Sequence, residues 1–284
     1  MISREEKNKE IVNEIRKEQA RNISKKILHI TTTIIIILLL LFSYIYFIGV
    51  KGLTTNEFVI KNSSIPKSFH GIKIVHITDL LYGREIDSKY LNKLQEEIKL
   101  INPNIITFTG NIFNNNYTTS EEDIKNINTF FKNLPYTIGK YAIKGNLDTR
   151  TFDLIMDNTD FTILNNESIT IYNNSQESIN IIGINYNDKA TINKENDFYT
   201  ITLINNYDYY KEYNVSSNLV LAGNNLGGEI RLFNLPLLGN NKYNNSYYEE
   251  NNTKIYISSG IGSLHHMRFM NHPSINVYRL INTK

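Results

Sequence analysis

Residues 73–83 read KIVHITDLLYG, and the fold follows from how this stretch ends. Lys73–Thr78 is an apolar, β-branched run of strand type that stops at Asp79 and a glycine turn at Gly83. The same ending recurs downstream. Asn104–Thr109 (NIITFT) runs into Gly110-Asn111, and Tyr141–Lys144 (YAIK) into Gly145-Asn146-Leu147-Asp148. Leu219–Ala222 (LVLA) runs into Gly223-Asn224-Asn225-Leu226-Gly227-Gly228. Turns at the carboxyl ends of strands are where α/β proteins assemble sites. Their glycines suit them because glycine reaches backbone conformations closed to other residues.

Helical patterns separate these runs. Ile86–Ile101 carries Leu91, Leu94, Ile98 and Ile101 at helical spacing. Ser120-Glu-Glu-Asp opens a second helix, with a hydroxyl cap and acids in the first turn. A short third helix is expected around Phe152–Met156. The second half is rich in strands: Phe161–Leu164, Ile169–Tyr172, Ile179–Gly183, Tyr199–Ile204, Glu229–Phe233, Lys254–Ser258 and Ile275–Leu280, besides Leu219–Ala222. Tyr243–Asn252 (YNNSYYEENN) reads as a polar loop. Strand–helix alternation followed by many strands predicts an α/β sandwich of two packed sheets with helices outside.

Upstream, the chain changes character. Residues 1–26 are dense in both charge signs, with few apolar positions (Ile2, Ile11, Val12, Ile15, Ile23), and read as a solvated, partly amphipathic helical tail. A coiled-coil or partner-binding helix is the open alternative. Residues 27–50 (ILHITTTIIIILLLLFSYIYFIGV) hold no Asp, Glu, Lys or Arg and suffice to cross a bilayer of ~30 Å. Tyr44, Tyr46 and Phe47 stand where an interfacial aromatic belt is expected, and Lys25 and Lys26 border the other end. The positive-inside rule then predicts a single-pass protein of the cell membrane, N-terminus cytoplasmic and main domain extracellular. The long charged lead and long apolar run argue against a cleaved signal peptide. Residues 51–70 form a linker with an opening strand at Glu57–Ile60, and residues 71–284 the main domain.

Composition narrows the chemistry. The chain of 284 residues has no cysteine, which excludes disulfides, thiolate zinc sites and cysteine nucleophiles. A net charge of +2 gives no basic signature of a nucleic-acid partner. Asn, Ile, Lys and Tyr are abundant, so an Asn inside a motif competes with a high background of Asn.

In order and approximate spacing, the turns resemble the motifs of the calcineurin-like metallophosphoesterases: D-x-H, G-D, G-N-H-D/E, a later His, then G-H-x-H. The likeness is strongest to the bacterial membrane-anchored branch and covers roughly residues 55–282, including a late segment at Ser259–Ile275. It implies a four-layer αββα sandwich behind one N-terminal transmembrane helix. Such proteins use two divalent metals (manganese, iron or zinc) to clamp a phosphate and activate a water. Carried over residue by residue, the first metal's Asp is Asp79, and its His partner falls at Leu81. The bridging Asp falls at Asn111. The second metal's Asn is Asn146, and the neighbouring general-acid His falls at Leu147, with Asp148 beside it and no His to orient. The later His falls at Asn205, by the least secure alignment, and the G-H-x-H pair at Asn224 and Leu226.

The resemblance therefore implies a site whose imidazoles and bridging carboxylate are replaced. Compositional drift could supply Asn at 111, 205 and 224, but not Leu at 81, 147 and 226. The expectation is an inactive relative that binds a ligand, an anionic lipid headgroup, a phosphorylated molecule or a protein, without a metal cofactor. The alternatives are a residual phosphoesterase with an altered or single-metal site, and a purely structural membrane-anchored partner protein. His76 is expected on a sheet face and His70 in a turn, while His265, His266 and His272 cluster in a late loop. A non-family metal site of His265 or His266 with Asp79 is a minor candidate. Arg231 and Arg268 are candidate anion contacts, with structural ion pairing as the equal alternative.

Overall fold

A computed structural model describes residues 4–115, 117–186, 198–213, 215–233, 235–237, 242–243 and 245–284. The chain divides into two units, Met1–Phe47 and Ile48–Lys284. In the first, tail and apolar run form one continuous helix, α1 (Arg4–Ser43), extended by a π-helical turn at Tyr44–Ile48. It is polar through Lys26 and apolar on every side from Ile27, so it has no face to pack against a core. One helix, over Lys7–Ile48, is long and apolar enough to cross a membrane. Ile2 of the expected tail lies outside the described residues.

The second unit is a sandwich of two six-stranded sheets. One sheet contains β1 (Thr54–Asn62), β2 (Lys73–Ile77), β3 (Ile105–Phe108), β4 (Gly139–Ala142), β5 (Phe161–Ile163) and β14 (Ser274–Asn282). Their order is β1-β14-β2-β3-β4-β5, parallel except where β14 meets β2. The other contains β6 (Glu167–Tyr172), β7 (Ser178–Ile184), β8 (Tyr199–Ile204), β9 (Leu219–Ala222), β12 (Tyr247–Glu250) and β13 (Thr253–Ile257), in the order β12-β13-β9-β8-β7-β6. A hairpin of β10 (Arg231–Leu232) and β11 (Leu235–Pro236) stands apart from both.

Strand alternation builds three cores. Val75 and Ile77 face the helices α2 (Ser88–Ile101), α3 (Glu121–Lys132) and α4 (Arg150–Met156), whereas Ile74 faces the other sheet. Ile179, Ile181, Ile201 and Leu221 meet it from the second sheet. Gly183 lets the sheets close, since a Cβ there would collide with the Leu164 Cβ. The helices start and stop where their ends are satisfied. Asp87 caps α2, Ser120 and Asp123 form a capping box on α3, and the buried Lys140 ammonium donates to the Phe131 carbonyl at the end of α3.

The outer face of the second sheet is covered, among the described residues, by a 3-10 helix (Tyr207–Glu212) and stacked tyrosines rather than by long helices. Tyr243–Asn252 is a second correction. Tyr247–Glu250 pairs antiparallel with β13 as an edge strand, with Tyr247 against the Tyr256 ring at 5.0 Å. Its two-sided polarity hid the alternation; Asn244 lies outside the described residues. Of the expected strand Glu229–Phe233, Arg231–Leu232 pairs with β11 and Ile230 bridges to Phe269, while the Glu229 side chain turns inward.

Candidate functional site

The turns after β2, β3, β4, β8 and β9 meet at one end of the sandwich, joined by the loop before β14. Asp79 N–H donates to the Gly110 carbonyl, Gly223 N–H to the Asn205 carbonyl, and Gly262 N–H to the Asp79 carbonyl. At Gly110 a Cβ would collide with the Gly145 nitrogen, so the glycine lets two loops touch. The backbone is left-handed at Asp79 (φ 52°), Leu81 (45°), Asn111 (65°), Asn224 (61°) and Leu226 (49°). This conformation suits Asn and Asp far better than Leu, where it costs about 1–2 kcal/mol per residue.

Asp79 is the centre, fully buried. Its Oδ1 accepts from Asn111 Nδ2 at 2.7 Å, and its Oδ2 accepts from Thr78 Oγ1 at 2.9 Å and Asn224 N–H at 2.8 Å. Asn111 Nδ2 also reaches Asn224 Oδ1 at 3.2 Å, while Asn111 Oδ1 accepts from Leu147 N–H at 3.0 Å. That last bond fixes which way the Asn111 amide faces: its NH₂ points at Asp79. Asn205 accepts from Asn146 N–H at 3.2 Å and donates to the Thr109 carbonyl at 2.7 Å. Burial pushes the Asp79 carboxyl up to about 6, against the pull of its Asn111, Asn224 and Thr78 donors.

The structure thus brings Asp79, Asn111, Asn205 and Asn224 into one hydrogen-bonded network. Leu226, buried, closes over Gly260 alongside Asp79, and Leu81 is buried against Gly262. Asn146 is exposed and contributes its backbone N–H, and Leu147 is half-buried and does the same. Asp148 has work the sequence reading did not give it. Its carboxylate accepts N–H groups from Asn111 (2.7 Å), Ile112 (2.8 Å) and Gly145 (2.8 Å), clamping two loops together.

These donors do not fit two divalent ions. Both oxygens of the Asp79 carboxylate already accept, those of Asp148 are taken by three backbone N–H groups, and the Asn111 and Asn205 oxygens by backbone N–H groups as well. Leu81, Leu147 and Leu226 offer only carbon. Among the described residues, no three His, Cys, Asp or Glu side chains gather to hold a metal.

No family model matches the chain. It is 28% identical over 263 residues to YkuE of Bacillus subtilis, described as an uncharacterised metallophosphoesterase, covering 85% of this chain and 90% of that protein. It is 25% identical over 231 residues to Cj0846 of Campylobacter jejuni, described likewise, covering 74% of this chain and 59% of that one. The chain is thus similar, over most of its length, to proteins described as metallophosphoesterases. A shorter match is to LpxG of Chlamydia trachomatis, a UDP-2,3-diacylglucosamine pyrophosphatase. That match is 31% identical over 94 residues, 32% of this chain and 28% of that one.

The late loop departs from expectation. Arg268 is fully buried, and its guanidinium donates to the carbonyls of Ser259 (2.6 Å), Asn271 (3.1 Å) and Gly262. It pins the loop from inside and offers nothing to a dissolved anion. Arg231 is partly exposed, with one N–H on the Gly227 carbonyl. His265 and His266 do not turn to Asp79. Their Nδ1 atoms pair with Glu229 and, at 3.0 Å, with Glu85. Both glutamates are buried and escaped the sequence reading, since nothing in GRE or GGE signals an inward carboxylate. His76 lies between the sheets at 2.9 Å from Thr109 Oγ1, and burial pushes its imidazole down to about 3. His70 is exposed, and the His272 ring packs on Gly52.

Proposed function

We propose that this chain is a membrane-anchored metallophosphoesterase-family protein that binds a phosphate-bearing amphiphile without hydrolysing it by the family's two-metal route. One observation carries the reading: at the bridging position, Asn111 presents an amide NH₂ to Asp79. A bridging carboxylate offsets the mutual repulsion of two dications, whereas an N–H dipole pointed into the same space adds to it. The general-acid position is Leu147, so no side chain there can protonate a leaving oxygen.

The anchoring part of the proposal is supported by the apolar helix and by Lys25 and Lys26 at its start, which favour a cytoplasmic N-terminus. The amphiphile is supported by the LpxG match, whose named substrate joins a diphosphate to acyl chains. Arg231, beside the glycine turn Gly227-Gly228, supplies the cation for the phosphate.

The test is metal stoichiometry. Full-length chain in detergent, equilibrated with manganese and desalted, is expected to carry well under one ion per chain and to leave bis(p-nitrophenyl) phosphate intact. Two ions per chain would sink the reading. One ion with manganese-dependent turnover would install the altered single-metal esterase instead. A variant with His at 81, 147, 205, 224 and 226 and Asp at 111 is expected to gain manganese binding, because the loops still hold those positions together.

A further inference from the structure

Four large apolar side chains on one short hairpin face solvent: Leu232 (46% exposed), Phe233 (75%), Leu235 (69%) and Leu237 (59%). In the β10–β11 pairing, Arg231 and Pro236 are half-buried on one face, while Leu232 and Leu235 lie open on the other. Leu264 and Met270, also exposed, come from the late loop that holds the hairpin's foot. Arg231 N–H donates to the Phe269 carbonyl at 2.9 Å, and Phe269 N–H to the Glu229 carbonyl at 3.1 Å. From Ile230 to Leu237 there is no acidic residue, and Arg231 and Lys242 flank the apolar tip. Apolar protrusions with basic flanks are what interfacial membrane contacts are made of.

The chain itself limits what covers this tip. Only Gly49–Leu53 separate the end of the apolar helix at Ile48 from β1. At about 3.5 Å per residue, that connector spans no more than roughly 20 Å. Its far end is fixed to the same late loop as the hairpin: Thr54 N–H and Oγ1 both donate to the Pro273 carbonyl, at 2.9 and 3.1 Å. Gly52 packs against the His272 ring. The point where the chain joins the sandwich, the foot of the hairpin and the turn at Asp79 therefore share one loop, Ser258–Ser274.

We propose that the β10–β11 hairpin inserts its apolar tip into the lipid surface next to the anchor, holding the Asp79 end of the sandwich at the headgroup layer. This rests on the anchoring reading above. It adds a second, reversible contact that turns the binding turns toward amphiphiles presented by the bilayer.

The chain has no tryptophan, so Phe233→Trp places a single reporter at the tip of the full-length protein. Leu100→Trp, on α2 and 81% exposed, is the matched control. Both are reconstituted in phosphatidylglycerol–phosphatidylethanolamine vesicles, with or without bromine on the acyl chains. Flotation and alkaline carbonate extraction report anchoring independently. The expected result is a blue-shifted emission from the hairpin reporter, quenched at least about twofold by brominated lipid, with the helix reporter unshifted and unquenched. Carbonate-resistant chain in which the hairpin reporter behaves as the helix reporter does overturns the insertion alone. A blue shift without bromine quenching means that protein covers the tip, and it also overturns the proposal. Chain released by carbonate overturns the anchoring reading, and the insertion with it.

Discussion

Two neighbouring clusters at the same end of the sandwich handle charge in opposite ways. Around Asp79, the carboxylate's partners are a side-chain amide, a hydroxyl and a backbone N–H; among the described residues no cationic side chain bonds to it, and burial raises its pKa. Around Arg268, carboxylates and cations are kept together. Glu229 takes Ser263 Oγ at 2.6 Å, Leu264 N–H at 2.6 Å and His265, while Glu85 takes His266. Burial lowers the Arg268 pKa, against the attraction of Glu229 and Glu85. The first cluster gathers strand-end turns around one carboxylate held by neutral donors. The second holds carboxylates against imidazoles near a buried guanidinium and serves the fold. Charge density and strand-end geometry therefore single out different clusters, and the function proposed above rests on the second signal.

The comparison is most exposed at Arg268. Arg268→Met strips three carbonyls of their donor and leaves Glu229 and Glu85 less compensated. It is expected to destabilise the chain by about 3–5 kcal/mol in urea unfolding of detergent-solubilised protein. An effect under about 1 kcal/mol would show that the late loop is not pinned from within. Next comes Asp148→Ala, which releases three backbone N–H groups and is expected to lose about 3 kcal/mol. If Asp148 served only catalysis, stability would not move.

The Asp79 cluster has a signature in pH. Its folded carboxyl titrates near 6 against an ordinary 3.8, so between those values the folded state binds more protons than the unfolded one. Stability is therefore fully present below about pH 4 and falls as pH rises toward 6, by an amount on the order of 3 kcal/mol from this group. Unfolding midpoints measured across that window in the wild type and in Asp79→Asn should show a slope that the variant loses. Parallel slopes would mean that Asp79 has a cation we have not assigned to it. The smallest effect is expected at His265→Gln. The imidazole side chain is 61% exposed, and its loss should cost less than about 1 kcal/mol despite the contact with Glu229.

Much of this was legible in the residues. The runs at 73–78, 104–109 and 219–222 form strands because β-branched alternation and a glycine stop are both local signals. The convergence of Asp79, Asn111, Asn205 and Asn224 was legible through family resemblance, not through spacing. What stayed hidden depended on long-range partners. Arg268 reads as a loop cation until Ser259, Gly262 and Asn271 turn their carbonyls inward. Asp148 reads as idle until the loop of Asn111 and Ile112 is laid against it. Tyr247–Glu250 reads as a loop because the face it half-buries holds one tyrosine and one glutamate, too little apolar surface to announce an edge strand.

The left-handed leucines carry a further consequence. Leu81 and Leu226 are held in a conformation that branched aliphatic residues resist and that His, Asn and Asp enter more readily. The loops, not these side chains, therefore dictate the curve of the chain there. Exchanging either leucine for histidine relaxes main-chain torsion even as it sacrifices apolar contact. A scaffold of this kind is biased toward admitting imidazoles: the torsional gain arrives with the first substitution, before any ion has been bound.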